Sequence, residues 1–530
     1  MAAHVLRRTL LSLGLAGGLA VTAAVDPASA APTGGTGAWS GAIDWSSVQI
    51  ANSKLKGFVA VHLAVGPAGD VLMWDREDGL TSAKRWDPNT GAFTDAANAA
   101  LPTSLFCAFQ TRLPGGKLIV VGGTALKKGA GGSELAGTGL DVARIYDWST
   151  NQWSSAASMH TPRWYPTVVA LPDGRQVVMG GQVIKGVMAT LSEVYNPANN
   201  TWTELPGLAE AKTLGLYPRA ILAPNGKIFV VKNGSNKSAY MNVDTQTWTT
   251  VGTAPPAPGG GGLVMYDNGK ILIFAVSSNA TDSYVIDLNA AKPAWRKVGS
   301  LQFRRKKFST VVLPDGRVMA IGGSSDGQPL DSHAVLTPEI WDPKTEVWSP
   351  APNIAVPRMY HSNAILLPSG QVLSAGGGRA PGWTDYASAQ LYNPDYLSQP
   401  NRPAITGLSS QVWTPGGTAT LNVSSANGVA SVVLMGLPTV THGIDTTQRR
   451  LVLPITANAG GSVTVQVPST NAAPAGHYYA IALDSRGVPS AAKIVQVAGS
   501  GGAAAAASVA TTAGPEVART AVDPEAPEGD

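Results

Sequence analysis

The segments VALPDGRQVVMGG (169–181) and VVLPDGRVMAIGG (311–323) decide the fold of this 530-residue chain. Each has two apolar runs on either side of a short turn that contains glycine, which is a strong sequence signal of a β-hairpin. The same pattern recurs five more times along the chain. The further copies are LAVGPAGDVLMW (63–74), TRLPGGKLIVVGG (111–123), ILAPNGKIFVV (221–231), LVMYDNGKILIF (263–274) and ILLPSGQVLSAGG (365–377).

A second element follows each hairpin. It is a strand, a turn that usually contains Asp or Asn, and in most copies an aromatic residue in the next strand, as in IYDWSTNQW (145–153) and IWDPKTEVW (340–348). Two hairpins per repeat make four strands, and a period of about 50 residues with a Gly-Gly doublet and a later Trp is typical of kelch repeats. The sequence therefore predicts an all-β protein with a seven-bladed kelch-type propeller over 38–400. A solenoid is the alternative, but it needs polar capping repeats, which the pattern lacks.

The segment 402–498 has alternating strands without the blade signature. About seven short strands in roughly 100 residues predict an immunoglobulin-like β-sandwich, which we expect to pack on the propeller.

Composition and the two ends of the chain indicate the compartment. The net charge of +4 is too small for an obligate nucleic-acid binder, and a single Cys excludes disulfide scaffolds and Cys-rich metal sites. Residues 1–30 have a basic start, an apolar stretch and an Ala-Ser-Ala cleavage site, which predict a signal peptide and a secreted protein. The pair Arg7-Arg8 also fits twin-arginine export. Residues 499–530 read as a disordered tail, and attachment of the protein to the cell surface stays open.

Five residues stand out because the repeat does not require them. They are Cys107 in LFCAFQ, Tyr165 in RWYP, Tyr360 and His361 in PRMYHS, and His442 in a Gly-flanked loop of the sandwich. Singly, each is more easily explained as a packed core residue. Together, two imidazoles and phenolate oxygens are a donor set that suits Cu²⁺.

The motifs FC, RWYP, YHS and THGIDTTQRR in this order, on a kelch propeller with a late His, resemble the copper radical oxidases, the family of galactose oxidase and glyoxal oxidase. The resemblance covers residues 45–498. It implies a thioether cross-link between Cys107 and Tyr165 that holds a tyrosyl radical. It further implies Cu²⁺ bound by Tyr165, His361 and His442, with Tyr360 as the axial ligand and general base.

The activity implied by the resemblance is a two-electron oxidation of a primary alcohol or hydrated aldehyde, with O₂ reduced to H₂O₂. One copper ion accepts a single electron, so the oxidised tyrosyl must accept the second. The substrate is predicted to be a small alcohol, an aldehyde or a glycan, without a nucleic-acid partner. We expect a monomer with no stable membrane insertion after signal cleavage.

Two substrate residues are also implied by the resemblance: Arg219 in GLYPRA and Gln328 in GGSSDGQ. The Trp that shields the radical in galactose oxidase is replaced by Val183, and the sequence does not show which aromatic residue takes its place. Together with the lack of a carbohydrate-binding module before the propeller, this favours the glyoxal oxidase branch.

Two other functions are compatible with the sequence. One is a non-catalytic kelch propeller that binds a glycan or cell-wall polymer, which would leave the Cys107 thiol free and bind no copper. The other is binding of an anionic polymer by the basic cluster at 304–307, which is more simply a solvated loop face or part of the substrate entrance.

Overall fold

The computed structural model describes residues 37–49, 55–76, 83–96, 104–125, 138–209, 214–231, 237–255, 261–276 and 279–499. All of them belong to one compact unit that begins at Thr36. The predicted signal peptide, and the predicted tail after residue 499, lie outside the described residues. Within the described ranges, no helix is long and apolar enough to cross a membrane.

The seven repeats form seven antiparallel sheets, which confirms the predicted all-β propeller. The first strand of each sheet is its inner strand, and the turn after it carries a glycine, for example Gly174 at φ 93° and Gly316 at φ 94°. Only glycine adopts this backbone conformation without strain. The tight turn therefore fixes the register of the two inner strands.

The seven sheets are called blades 1 to 7 in chain order. Blades 1 to 3 consist of His62–Val65, Val71–Trp74, Ala83–Trp86 and Phe93–Asp95; Phe109–Arg112, Leu118–Val121, Ala143–Asp147 and Gln152–Ser155; and Thr167–Ala170, Gln176–Met179, Ser192–Asn196 and Thr201–Leu205. Blades 4 to 6 consist of Arg219–Leu222, Ile228–Val231, Lys237–Asn242 and Thr247–Thr253; Gly262–Asp267, Lys270–Val276, Asp282–Asp287 and Arg296–Val298; and Ser309–Val312, Val318–Ile321, Glu339–Asp342 and Val347–Pro350. Between the strands of blades 3 to 6, the described residues also contain a small hairpin, Gln182–Ile184 with Val187–Met188, and short 3₁₀ helices at Pro206–Leu208 and Asp331–His333.

Blade 7 closes the ring. It contains Ser362–Leu366, Val372–Gly376 and Ser388–Asn393, after which the chain enters a 3₁₀ helix at Asp395–Ser398 instead of a fourth strand. The missing outer strand comes from the start of the fold, because two short strands, Ala38–Trp39 and Ile43–Asp44, pair with Ser388–Asn393. The two ends of the repeat array thus share one blade. No terminal repeat needs a cap, and the solenoid alternative is wrong.

Buried arginines fix the loops that precede the inner strands. Arg163, Arg305 and Arg358 each donate a guanidinium N–H to the carbonyl of the first glycine in the Gly-Gly doublet of their own blade, at 2.9, 2.9 and 2.8 Å. Arg163 and Arg305 are also paired with the buried carboxylates of Glu193 and Glu339. These charge-assisted hydrogen bonds tie the loops to the Gly-Gly doublets of their blades.

The C-terminal domain is a sandwich of a four-stranded and a five-stranded sheet. The strands are Ala404–Leu408, Thr418–Ser424, Ile455–Ala459 and Ser462–Gln466 in the first sheet, and Val412–Trp413, Ser431–Gly436, Arg450–Leu453, Gly476–Leu483 and Lys493–Val497 in the second.

One strand of the C-terminal domain, Thr439–Thr441, enters the propeller, and we call it the axial strand. It pairs with the inner strand of blade 1, His62 opposite Thr441, and contacts the inner strands of blades 2 and 7. Gln110 of blade 2 donates to the carbonyl of Val440 at 2.7 Å. The sandwich therefore not only packs on the propeller, as predicted, but also inserts a strand among its inner strands.

Candidate active site

In the described residues, five blades place a non-glycine residue in the left-handed backbone region next to the inner strand. Cys107, Tyr165, Tyr217 and Lys307 lie two residues before their strands, at φ 59°, 59°, 44° and 56°, and His361 directly precedes its strand at φ 66°. This conformation is unfavourable for L-residues and persists where the surrounding structure enforces it, which is common at functional sites. It is therefore a repeated device for presenting side chains at one end of the ring.

The sixth such residue, His442 at φ 52°, follows the axial strand. One ligand atom each of Cys107, His361 and His442 lies within 4.8 Å of the other two. The Sγ atom of Cys107 is 3.6 Å from Nε2 of His442, and the rings of the two histidines are perpendicular with centroids 4.6 Å apart. Residues from blade 2, blade 7 and the C-terminal domain thus converge on one point.

The hydrogen bonds of the two imidazoles orient them for a metal. The Nδ1–H of His361 donates to the carbonyl of Gly378 at 2.5 Å, while its buried Nε2 has no hydrogen-bond partner. Nδ1 of His442 contacts the hydroxyl of Thr441 at 2.7 Å and that of Tyr217 at 3.2 Å, so its Nε2 faces Cys107. Holding Nδ1 and leaving Nε2 free is the usual arrangement of a metal-binding histidine.

The two predicted tyrosines lie beside this cluster. The hydroxyls of Tyr165 and Tyr360 form a hydrogen bond with each other. The Tyr165 ring is 4.9 Å from that of His442, and the Tyr360 ring stacks on His361 at 3.9 Å. All five residues selected from the sequence therefore meet in one site.

Burial controls the protonation of the site. It lowers the pKa of His361 to about 3 and that of His442 well below its usual range, so both imidazoles are neutral and able to bind a metal. Burial raises the pKa of the Cys107 thiol to about 12, and hydrogen bonding with Tyr165 lowers it only in part. The pKa values of Tyr165 and Tyr360 are also raised by burial, so without a metal both phenols keep their protons.

Sequence reasoning missed two aromatic residues of the site. Trp164 stacks on Tyr165, with ring centroids 4.0 Å apart and an angle of 20° between the planes, so an aromatic ring covers one face of Tyr165. The Tyr217 ring lies 4.5 Å from Tyr165. The sequence contains a hint of each residue. Trp164 directly precedes Tyr165, and Tyr217-Pro218 repeats the dipeptide Tyr165-Pro166 one blade later.

The two predicted substrate residues, Arg219 and Gln328, are in different environments. The Arg219 guanidinium donates to the carbonyls of Gly261 and Tyr217 at 2.7 and 3.1 Å, so it supports the backbone at Tyr217. Gln328 is exposed in a loop of blade 6. The basic cluster at 304–307 is not a uniform solvated face, because Arg305 is fully buried in its ion pair.

The residues present fit a copper ion. Two neutral imidazoles with Nε2 directed into one site, a thiol and two phenols form a nitrogen and oxygen donor set with sulfur adjacent. The fold and the site together define the class of protein: a β-propeller protein with a copper site at one end of its ring.

Comparison with known proteins shows the family. Residues 402–497 match the family model "Galactose oxidase-like, Early set domain". A galactose oxidase of Gibberella zeae is 32% identical over 515 residues, covering 88% of this chain and 71% of that protein. The chain therefore belongs to the galactose oxidase family of copper radical oxidases, which are enzymes.

Two further relatives are more distant. The aldehyde oxidase GLOX of Vitis pseudoreticulata is 26% identical, over 83% of this chain and 95% of that protein. The solved structure of a fungal alcohol oxidase of the AA5 family, in complex with copper, has a TM-score of 0.74 and 24% identity, over 87% of this chain and 100% of that one; it shows the common fold. Sequence identity thus gives no support to the expected placement in the glyoxal oxidase branch.

Proposed function

We propose that this protein is a mononuclear copper radical oxidase that converts a primary alcohol or a hydrated aldehyde and O₂ into the two-electron oxidised product and H₂O₂. The observation that carries the proposal is the convergence of Cys107, His361 and His442 within 4.8 Å, with the hydrogen-bonded hydroxyls of Tyr165 and Tyr360 beside them.

Four residues would hold the ion. They are Tyr165, Tyr360, His361 and His442, whose phenol oxygens and imidazole nitrogens would bind it. When bound, copper supplies a Lewis acid and an acceptor for one of the two electrons. The free Nε2 of His361 and the hydrogen bonds at Nδ1 of both histidines support this assignment.

The second electron is assigned to Tyr165. A thioether bond from Cys107 Sγ to its ring donates electron density and makes the ring easier to oxidise. Its formation breaks one S–H and one C–H bond, and O₂ takes up the two electrons and two protons as peroxide. Trp164 stacked on the ring restricts solvent access to it.

Proton transfer is assigned to Tyr360. Its hydroxyl lies beside that of Tyr165, so it is placed to take the proton of a substrate hydroxyl bound there. The oxidised Tyr165 then takes a hydrogen atom from the carbon. Alcohol oxidation releases two electrons and two protons in total, which balances the reduction of O₂ to H₂O₂.

Peroxide release tests this function. Copper-loaded protein is screened against small primary alcohols, sugars and aldehydes, with Tyr360→Phe and Cys107→Ser as variants. We expect turnover by the wild type, a loss of about 10²-fold or more for Tyr360→Phe, and background rates with retained copper for Cys107→Ser. Tyr146→Phe, which removes a buried hydroxyl bonded to Asn151 outside the site, is the control and should keep its activity. Full turnover by Cys107→Ser would contradict the radical assignment.

The setting of this reaction is also a proposal. We propose a secreted monomer that acts on small alcohols, aldehydes or the ends of glycans. The branch of the family stays a prediction, and the screen with galactose and glyoxal addresses it directly.

A further inference from the structure

Lys307 occupies a position that the other blades use for the site. Like Cys107, Tyr165 and Tyr217, it lies two residues before an inner strand and has a left-handed backbone, at φ 56°. Its side chain is therefore presented at the same end of the ring. Unlike those three residues, Lys307 is exposed, so its ammonium group is open to a ligand from solvent.

The ammonium group lies directly over the site. Its Nζ is 4.6 Å from the centre of the Tyr360 ring and 4.4 Å from the centre of the Trp383 ring, and these two rings are 5.6 Å apart. Cation–π contacts with two rings fix the position of the charge while one side of it stays hydrated. A positive charge is thus held beside the residue proposed to accept the substrate proton.

Neighbouring carboxylates do not neutralise this charge. Within the described residues, no carboxylate forms an ion pair with Lys307. Asp385 pairs with Arg379 at 2.7 Å, Asp331 accepts a hydrogen bond from Thr384, and Asp326 accepts from Ser324 and from the backbone of Gln328. The positive charge is available to an anion in the site.

We propose that Lys307 determines substrate specificity by binding a carboxylate, so that the preferred substrates are short alcohols or aldehydes with a carboxylate group close to the reacting carbon. This inference rests on the proposed function. The ion pair forms at a partly desolvated position against two aromatic rings, where it is stronger than in water.

The test compares isosteric anionic and neutral substrates. Glycolate and 3-hydroxypropionate are each compared with their own amide, using peroxide release by the copper-loaded wild type, Lys307→Gln and Lys307→Arg. Lys306→Gln, an exposed lysine in the same loop, is the control. Thermal unfolding of each variant checks that it is folded.

We expect the wild type to prefer the acid over its amide. In Lys307→Gln, kcat/KM for the acid falls about five- to tenfold, the change for a single partly exposed ion pair, while kcat/KM for the amide changes less than about twofold. Lys307→Arg restores most of the preference, Lys306→Gln leaves it unchanged, and added salt weakens it. A wild type without preference for the acids, or an equal loss for acid and amide, overturns the proposal.

A binding measurement separates this proposal from the proposed function. Metal-free protein is titrated with glycolate, and the tryptophan fluorescence is followed, with Trp383→Phe identifying the responding residue. A saturable change that is lost in Lys307→Gln supports the anion site even if no compound releases peroxide. No change with glycolate in the wild type contradicts it even if neutral alcohols are oxidised.

Discussion

At the scale of single residues, the site depends on which imidazole nitrogen is held and which is free. Tyr217 is part of this arrangement, because its hydroxyl donates to the carbonyl of Ala108 at 3.2 Å and can then accept from Nδ1–H of His442 at 3.2 Å. This hydrogen bond keeps the proton on Nδ1 and the lone pair on Nε2. Tyr217 is therefore a positioning residue for His442.

Replacing Tyr217 with Phe removes that hydroxyl and keeps the ring beside Tyr165. We expect copper affinity to fall about tenfold, the lower end of the effect of removing a group that orients a metal-binding histidine. Competition titration with a chelator measures the affinity. Thermal unfolding should change little, and Tyr195→Phe, a hydroxyl bonded to Asn200 in blade 3, should keep wild-type affinity. Unchanged affinity in Tyr217→Phe would show that Thr441 alone orients His442.

At the scale of elements, the axial strand delivers His442 to a partner 335 residues earlier in the chain. The turn after His442 is tightly packed. Gly443 has φ 73°, and a Cβ at this position would lie 2.0 Å from the carbonyl oxygen of Phe308 in blade 6. The close approach to blade 6 requires glycine at this position.

The substitution Gly443→Ala should therefore displace the His442 loop. We expect copper binding to fall below detection by equilibrium dialysis. The free energy of unfolding should also fall by about 1–3 kcal/mol because the backbone is strained. Gly428→Ala is the matched control: Gly428 has φ 66° in the sandwich, with no atom within 4 Å of an added Cβ. The control should lose some stability and keep its copper. Equal copper binding by both variants would disprove the role of this turn.

The elements also show what the sequence could predict. The blades could be predicted from the hairpin patterns with Gly-Gly doublets, because alternating apolar residues and turn residues are local features of the sequence. The closure by Ala38–Trp39 and the insertion of Thr439–Thr441 were not predictable, because both strands are short and pair with segments hundreds of residues away. Trp164 and Tyr217 could not be assigned to the site, because their sequence context is that of aromatic core residues. Only the closed propeller places them beside Tyr165 and His442. In the sequence, Lys307 is one of four consecutive basic residues, and only the fold distinguishes its exposed side chain from that of buried Arg305.

At the scale of the whole molecule, the metal-free protein should be sensitive to acid. Burial lowers the pKa of four histidines, to about 3 or 4 in three cases and well below the usual range in the fourth: His62, His361, His477 and His442. In the unfolded chain these groups take up protons below a pH of about 6.5, whereas in the folded protein they remain neutral. The unfolded state then binds more protons, and the free energy of unfolding falls as the pH falls from about 7 to 4.

Two carboxyls act in the opposite direction. Burial raises the pKa of Asp75 and Asp445 to about 6, so they favour the folded state more as the pH falls from 6 to 4. The four imidazoles outweigh them because they are more numerous and their pKa shifts are larger. We therefore expect the free energy of unfolding to fall as the pH falls. Denaturant unfolding at pH 7 and pH 4.5 measures it, and His477→Gln, outside the metal site, should make the loss smaller. Equal or higher stability at pH 4.5 would mean that these histidines are not buried as neutral groups.

The proposed covalent redox pair of Cys107 and Tyr165 can be tested directly. Metal-free protein is incubated with Cu²⁺ in air, treated with a thiol-alkylating reagent, digested and analysed by mass spectrometry. We expect the peptides containing Cys107 and Tyr165 to be joined, with a mass two hydrogen atoms below their sum, and Cys107 not to be alkylated. Separate peptides with an alkylated Cys107, from protein that has bound copper, would contradict it.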